Sequence, residues 1–78
     1  GAIALAVSPA MAANLVNEDT VAYEVEIDDG KDVRVVIIAP GENIANICDA
    51  CTLTIGDSSH ELDGTKVAVI RNGALNSK

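Results

Sequence analysis

The chain has no Trp, no Phe and a single Tyr, Tyr23, with only two cysteines and five cationic side chains against twelve acidic ones. Each shortage excludes something. With Tyr23 as the only aromatic face, there is no platform on which bases or sugar rings could stack. A formal net charge of −7 repels phosphate backbones and anionic lipid, so nucleic acid is not an expected partner. The longest apolar run falls far short of the ~20 residues that span a bilayer, so no membrane insertion is expected. A core of Val, Ile, Leu and Ala lacks the large areas that aromatic rings bury and must be thin and closely packed. A chain this short removes only ~60% of its unfolded surface from water, which favours a covalent staple or self-association.

What is present begins with Ala2-Ile3-Ala4-Leu5-Ala6-Val7, an apolar stretch followed by Ser8-Pro9 and then Ala10-Met11-Ala12. Small residues stand at the two positions a signal peptidase inspects. On this reading residues 1–12 are a signal-peptide remnant, mobile if retained, cleavage falls between Ala12 and Ala13, and residues 13–78 form a single β-domain that carries every charge. Export implies a periplasmic or secreted location. That compartment is oxidising, so Cys48 and Cys51 are expected to be joined.

The rest of the chain is patterned for strands. Val21 to Ile27 alternates, with apolar residues at odd positions and mostly charged ones at even positions, which predicts one dry face. Asp28-Asp29-Gly30 interrupts the pattern before Asp32 to Ala39 resumes it. A three-residue loop with Gly30 left-handed would set Val25 opposite Val33, Tyr23 opposite Val35, Val21 opposite Ile37 and Glu24 opposite Arg34. Val35-Val36-Ile37-Ile38 is apolar on both faces and predicts a central strand covered on both sides. Pro40-Gly41-Glu42 is a turn, and Asn43–Cys48 and Cys51–Ile55 are two strands around Asp49-Ala50. Asp57-Ser58-Ser59-His60 reads as a polar loop setting Ile55 opposite Leu62. After a turn at Asp63-Gly64, Thr65–Arg71 is a strand. Asn72-Gly73 predicts a two-residue hairpin with Ile70 opposite Leu75, beyond which Asn76-Ser77-Lys78 is expected to fray. Turns recur every eight to twelve residues or so, and no uninterrupted helical period appears. The expected fold is all-β: a small single-domain sandwich or partly open barrel of about five to six short antiparallel strands.

Cys48-Asp49-Ala50-Cys51 is the one motif able to carry chemistry. A redox CxxC needs its first sulfur at a helix N-terminus, where the dipole favours the thiolate. Here the flanks Asn46-Ile47 and Thr52-Leu53-Thr54-Ile55 are strand-like, and Asp49 opposes ionisation. A structural disulfide is the reading, contributing roughly 2 kcal/mol for so short a loop. Zinc would need Cys48, Cys51, His60 and one of Asp57, Glu61 or Asp63, a spacing that fits no standard site. Asp28-Asp29-Gly30-Lys31-Asp32 departs from a calcium loop because Gly30 comes too early, and it reads as a hairpin turn. Ser58, His60 and Asp63 are the residue types of a triad, but they crowd one turn and no oxyanion loop accompanies them. No cofactor or metal and no catalytic residue is assigned.

Asn17-Glu18-Asp19-Thr20 with Tyr23, Ala39-Pro40-Gly41-Glu42, the paired cysteines, Leu62-Asp63-Gly64, Val67-Ala68-Val69-Ile70 and Asn72-Gly73 together resemble a group of short exported bacterial proteins of uncharacterised function. The resemblance covers nearly all of residues 13–78 and implies an exported, disulfide-bearing β-fold, with no activity to carry over. The functional expectation is a non-enzymatic binding or structural module of the bacterial cell envelope. Its partner is another protein or a second copy, met through an open sheet edge or an apolar face. The alternatives are a periplasmic thiol–disulfide protein with Cys48 as nucleophile, or a metal binder.

Overall fold

The computed structural model describes residues 13–64 and 66–77, so the leader reading of residues 1–12 lies outside the described residues. Eight strands follow one another: β1 Ala13–Asn17, β2 Tyr23–Asp28, β3 Val33–Ile38, β4 Asn43–Cys48, β5 Ala50–Ile55, β6 Ser58–Asp63, β7 Val67–Arg71 and β8 Ala74–Ser77. They form two four-stranded sheets, ordered β4-β1-β7-β8 and β3-β2-β5-β6. The fold is therefore the expected all-β sandwich, with more strands than the five to six anticipated. β1 escaped the sequence reading because its inward positions are Ala13, Leu15 and Asn17, and a buried Asn breaks the apolar alternation. β1 also runs parallel to β7, Leu15 beside Ala68 and Asn17 beside Ile70, so the sheets are not wholly antiparallel.

Between the sheets lies an aliphatic core that includes Leu15, Val25, Ile27, Ile38, Leu53 and Ile70, each at most 2% exposed. Alternation supplies it: Val25 and Ile27 of β2, Leu53 and Ile55 of β5 and Leu62 of β6 all face inward. Asn17, fully buried, ties the chain together at one end. Its Nδ2 donates to the carbonyls of Val21 at 2.8 Å and of Ile38 and Ala39 at 3.2 Å. Its backbone N–H donates to the Glu42 carbonyl at 2.9 Å, and its own carbonyl accepts the Gly41 N–H at 2.8 Å. A buried amide satisfied on every side is worth keeping; one left unpaired is costly.

Two hairpins test the predicted registers. At Asn72-Gly73 the expectation holds: both residues have positive φ, +53° and +74°, and Ile70 sits opposite Leu75. That is the two-residue turn whose twist suits a hairpin. β8 continues to Ser77 against Ala68, so Asn76 and Ser77 are strand residues rather than a fraying tail. The β2–β3 connection differs. Gly30 is left-handed as expected, at φ +88°, but the loop has four residues, because Asp28 pairs with Val33. Asp29 Oδ1 accepts the N–H groups of Lys31 and Asp32, both at 2.8 Å, and Asp28 Oδ1 accepts that of Gly30 at 2.9 Å. These side-chain caps stabilise the longer loop.

The consequence is a change of parity. Tyr23, Val25 and Ile27 meet Ile38, Val36 and Arg34, so Val36 and Ile38 face the core, Arg34 lies on the same face at its exposed end, and Glu24 meets Ile37 rather than Arg34. β3 is an edge strand, not the central one its composition suggested. Val21 precedes β2 and is 53% exposed. The β5–β6 turn, by contrast, is tighter than expected. Ile55 pairs with Ser58 across Gly56-Asp57, Leu62 pairs with Cys51, and His60 lies within a strand.

Candidate functional site: the disulfide turn and the β3 edge

Cys48 at the end of β4 and Cys51 in β5 form the expected disulfide, with Cα atoms 6.1 Å apart. Because β4 belongs to one sheet and β5 to the other, the bond clasps the sandwich where the chain crosses over. The local sequence explains the crossing. β4 pairs with β1 as Ile44–Leu15 and then Cys48–Ala13, which leaves two extra residues on β4. Asn46 absorbs them with φ +57°, and its N–H donates to Asn14 Oδ1 at 3.0 Å. The bulge turns Ile47 into the core. Arg34 then reaches across from β3 and donates to the Ile47 carbonyl. A cleft of roughly 500 Å³ opens here, lined by Asp29, Lys31, Asp32, Arg34, Asn46 and Cys48.

Neither sulfur lies at a helix N-terminus, since the described residues contain no helix. The remaining candidate groups are separated. His60 Nε2 and Ser77 Oγ share a hydrogen bond of 2.5 Å, Ser58 Oγ accepts the Leu75 N–H at 3.3 Å, and Asp63 lies 3.9 Å from Lys66 Nζ. Ser58, His60 and Asp63 therefore each have a different partner, and no nucleophile–base–carboxylate relay connects them. Among the described residues no three His, Cys, Asp or Glu side chains converge as metal ligands.

A polar cluster that sequence reasoning left without a role surrounds Asp19. Its carboxylate accepts the Tyr23 hydroxyl at 2.7 Å and the N–H groups of Asn72 and Gly73 at 2.8 and 2.9 Å. The Tyr23 bond, then the two amides, hold the Asp19 pKa below the usual carboxylate value. Asp19 in turn raises that of Tyr23. Asp29 is lowered by its bonds to the Asp32 and Lys31 amides. In Asp19 the carboxylate serves as a latch between the β1–β2 bend and the β7–β8 turn.

The outer face of the second sheet is arranged in rows. Cross-strand pairing sets Val33, Val35 and Ile37 of β3 beside Asp28, Glu26 and Glu24 of β2. Thr52 and Thr54 of β5 come next, then Glu61 and Ser59 of β6. The three β3 aliphatics are 58, 54 and 71% exposed. Among the described residues the ion pairs are Lys66–Asp63 and Arg71–Glu18, so no cation neutralises Glu24 or Glu26.

Edge strands usually carry protection against stray pairing. β8 has only four residues, β4 is bulged, and β6 is polar along most of its length. β3 has neither a bulge nor a Pro, and its six residues pair with β2 without interruption. Its one charge, Arg34, lies on the face of Val36 and Ile38, stays exposed and donates to the Ile47 carbonyl. The composition of β3 was visible in the sequence; its exposure depended on the loop parity, which was not.

Comparison with protein-family models, curated proteins and solved structures returns no match.

Proposed function

We propose that this is a non-enzymatic binding or structural module of the bacterial cell envelope, exported to the periplasm or beyond, that takes up an extended segment of a protein partner along β3. The observation that carries this reading is the contrast among the four sheet edges: three are blunted, and β3 presents an uninterrupted, aliphatic edge. An added strand satisfies the outward backbone groups of such an edge and draws affinity from them. Export is supported by the Ala10-Met11-Ala12 ending and by a disulfide that an oxidising compartment would maintain. The resemblance to short exported bacterial proteins points the same way.

A photo-reactive residue placed at position 35 should yield covalent adducts with a partner in the native compartment, and the same residue at position 59, on the outer face of β6, should not. Equal labelling from both positions, or none from position 35, would overturn the reading. A second reading rests on the cleft beside Cys48, where Lys31 and Arg34 could favour a thiolate once the bond is reduced. Equilibrating the pair against a glutathione buffer separates the two. A potential far below that of the compartment leaves the disulfide purely structural.

A further inference from the structure

The geometry points to an occupant of defined chemistry for β3: an extended segment in which Lys or Arg alternates with aliphatic residues. This rests on the reading of β3 as a docking edge and adds what the edge selects. A strand added to β3 has two faces. Its inward residues would lie beside Val36 and Ile38 at the flank of the core, where Arg34 already occupies one position, so aliphatic side chains fit there and further cations do not. Its outward residues would lie beside Val33, Val35 and Ile37, with the carboxylates of Asp28, Glu26 and Glu24 one strand further in. Two strand spacings are about 10 Å. A Lys or Arg can lay its methylene stem over the exposed aliphatics and bring its charged head to the acidic row. One residue type thereby covers the apolar stripe and neutralises carboxylates that have no ion pair among the described residues.

A second copy fits less well. Pairing β3 with β3 would join two aliphatic stripes edge to edge and leave both uncovered. It would also bring together two chains that each carry a formal charge of −7.

The test uses two labelled, end-capped peptides of alternating Lys and Val or alternating Glu and Val. Both are N-methylated on alternate residues so that only one edge can pair. Fluorescence anisotropy and amide shift mapping are read on the whole protein. The expected result is binding of the Lys–Val peptide with shifts concentrated in residues 33–38, and binding of the Glu–Val peptide weaker by about tenfold or more. The Glu24→Gln, Glu26→Gln double variant, which leaves β3 untouched, should weaken Lys–Val binding by about threefold to tenfold, and added salt should do the same. Equal binding of the two peptides at β3 would overturn the charge inference while leaving the docking edge standing. A peptide-free dimer abolished by Val35→Lys would make a second copy the occupant, which also overturns the inference. If neither peptide moves a β3 amide and the protein stays monomeric, the docking edge falls as well.

Discussion

Where β6 of one sheet meets β8 of the other, the Leu75 N–H reaches Ser58 Oγ at 3.3 Å and His60 shares a 2.5 Å hydrogen bond with Ser77. Where β3 meets β4, the flank is tied at its ends: by Arg34 on the Ile47 carbonyl, and by Asn17 on the carbonyls of Ile38 and Ala39. Along the closed flank, β6 side chains bond to a side chain and a backbone N–H of β8, and the strands are polar or short. Along the open flank β3 has its aliphatic row in solvent. One flank is closed by bonds between its facing strands, and the other is tied only at its ends, with the β3 row left in solvent.

The largest expected effect comes from cutting the anchor of the open flank. Asn17→Leu removes the donor to three carbonyls in a fully buried position and should cost about 2–4 kcal/mol by urea unfolding, with the β3–β4 end losing hydrogen-exchange protection first. Replacing both Cys48 and Cys51 by Ser, which unclasps the sheets on the same flank, should cost roughly 2 kcal/mol. On the closed flank, Ser58→Ala loses one long hydrogen bond and should cost about 0.5–1 kcal/mol, less than either change opposite. Val35→Lys should shift stability by no more than about 0.5 kcal/mol, because Val35 is already mostly solvated. A larger loss would mean that the β3 row is part of the core.

Acid and base probe the Asp19 latch, which belongs to neither flank. The Asp19 and Asp29 carboxyls are held below their ordinary values, so the stability they contribute is fully present above about pH 4 and is lost as pH falls through their folded values. Tyr23 is raised, so its contribution is fully present below about pH 10 and is lost as pH climbs through its folded value. Asp19→Asn should flatten both limbs of the urea midpoint against pH. Unchanged limbs would show that the latch does not contribute.

Much of the fold was legible from local chemistry. The alternation from Tyr23 to Ile27, the paired positive-φ residues at Asn72-Gly73 and the turn at Pro40-Gly41 each act within a few residues of chain, and each appears in the structure. The disulfide matched the expectation drawn from the Cys48–Cys51 spacing and the export reading. What escaped was set by side chains hydrogen-bonded to backbone groups, which no hydrophobic pattern records. Asn17 carries no strand signal of its own, and its place in the core shows only in its three carbonyl partners. Asp29 lengthens its loop by capping two amides, and that single step reverses which faces of β2 and β3 coincide. The exposed row of Val33, Val35 and Ile37 follows from that reversal, so the candidate site was present in composition but not in position.

If β3 is the docking edge proposed above, its amides are the ones a partner should protect. Hydrogen exchange of the purified protein, alone and with extract from its native compartment, compares residues 33–38 with residues 58–63 directly. The account predicts that β3 amides slow on adding the extract while β6 amides stay as they were. Slowing confined to β6, or none in either strand, would contradict it.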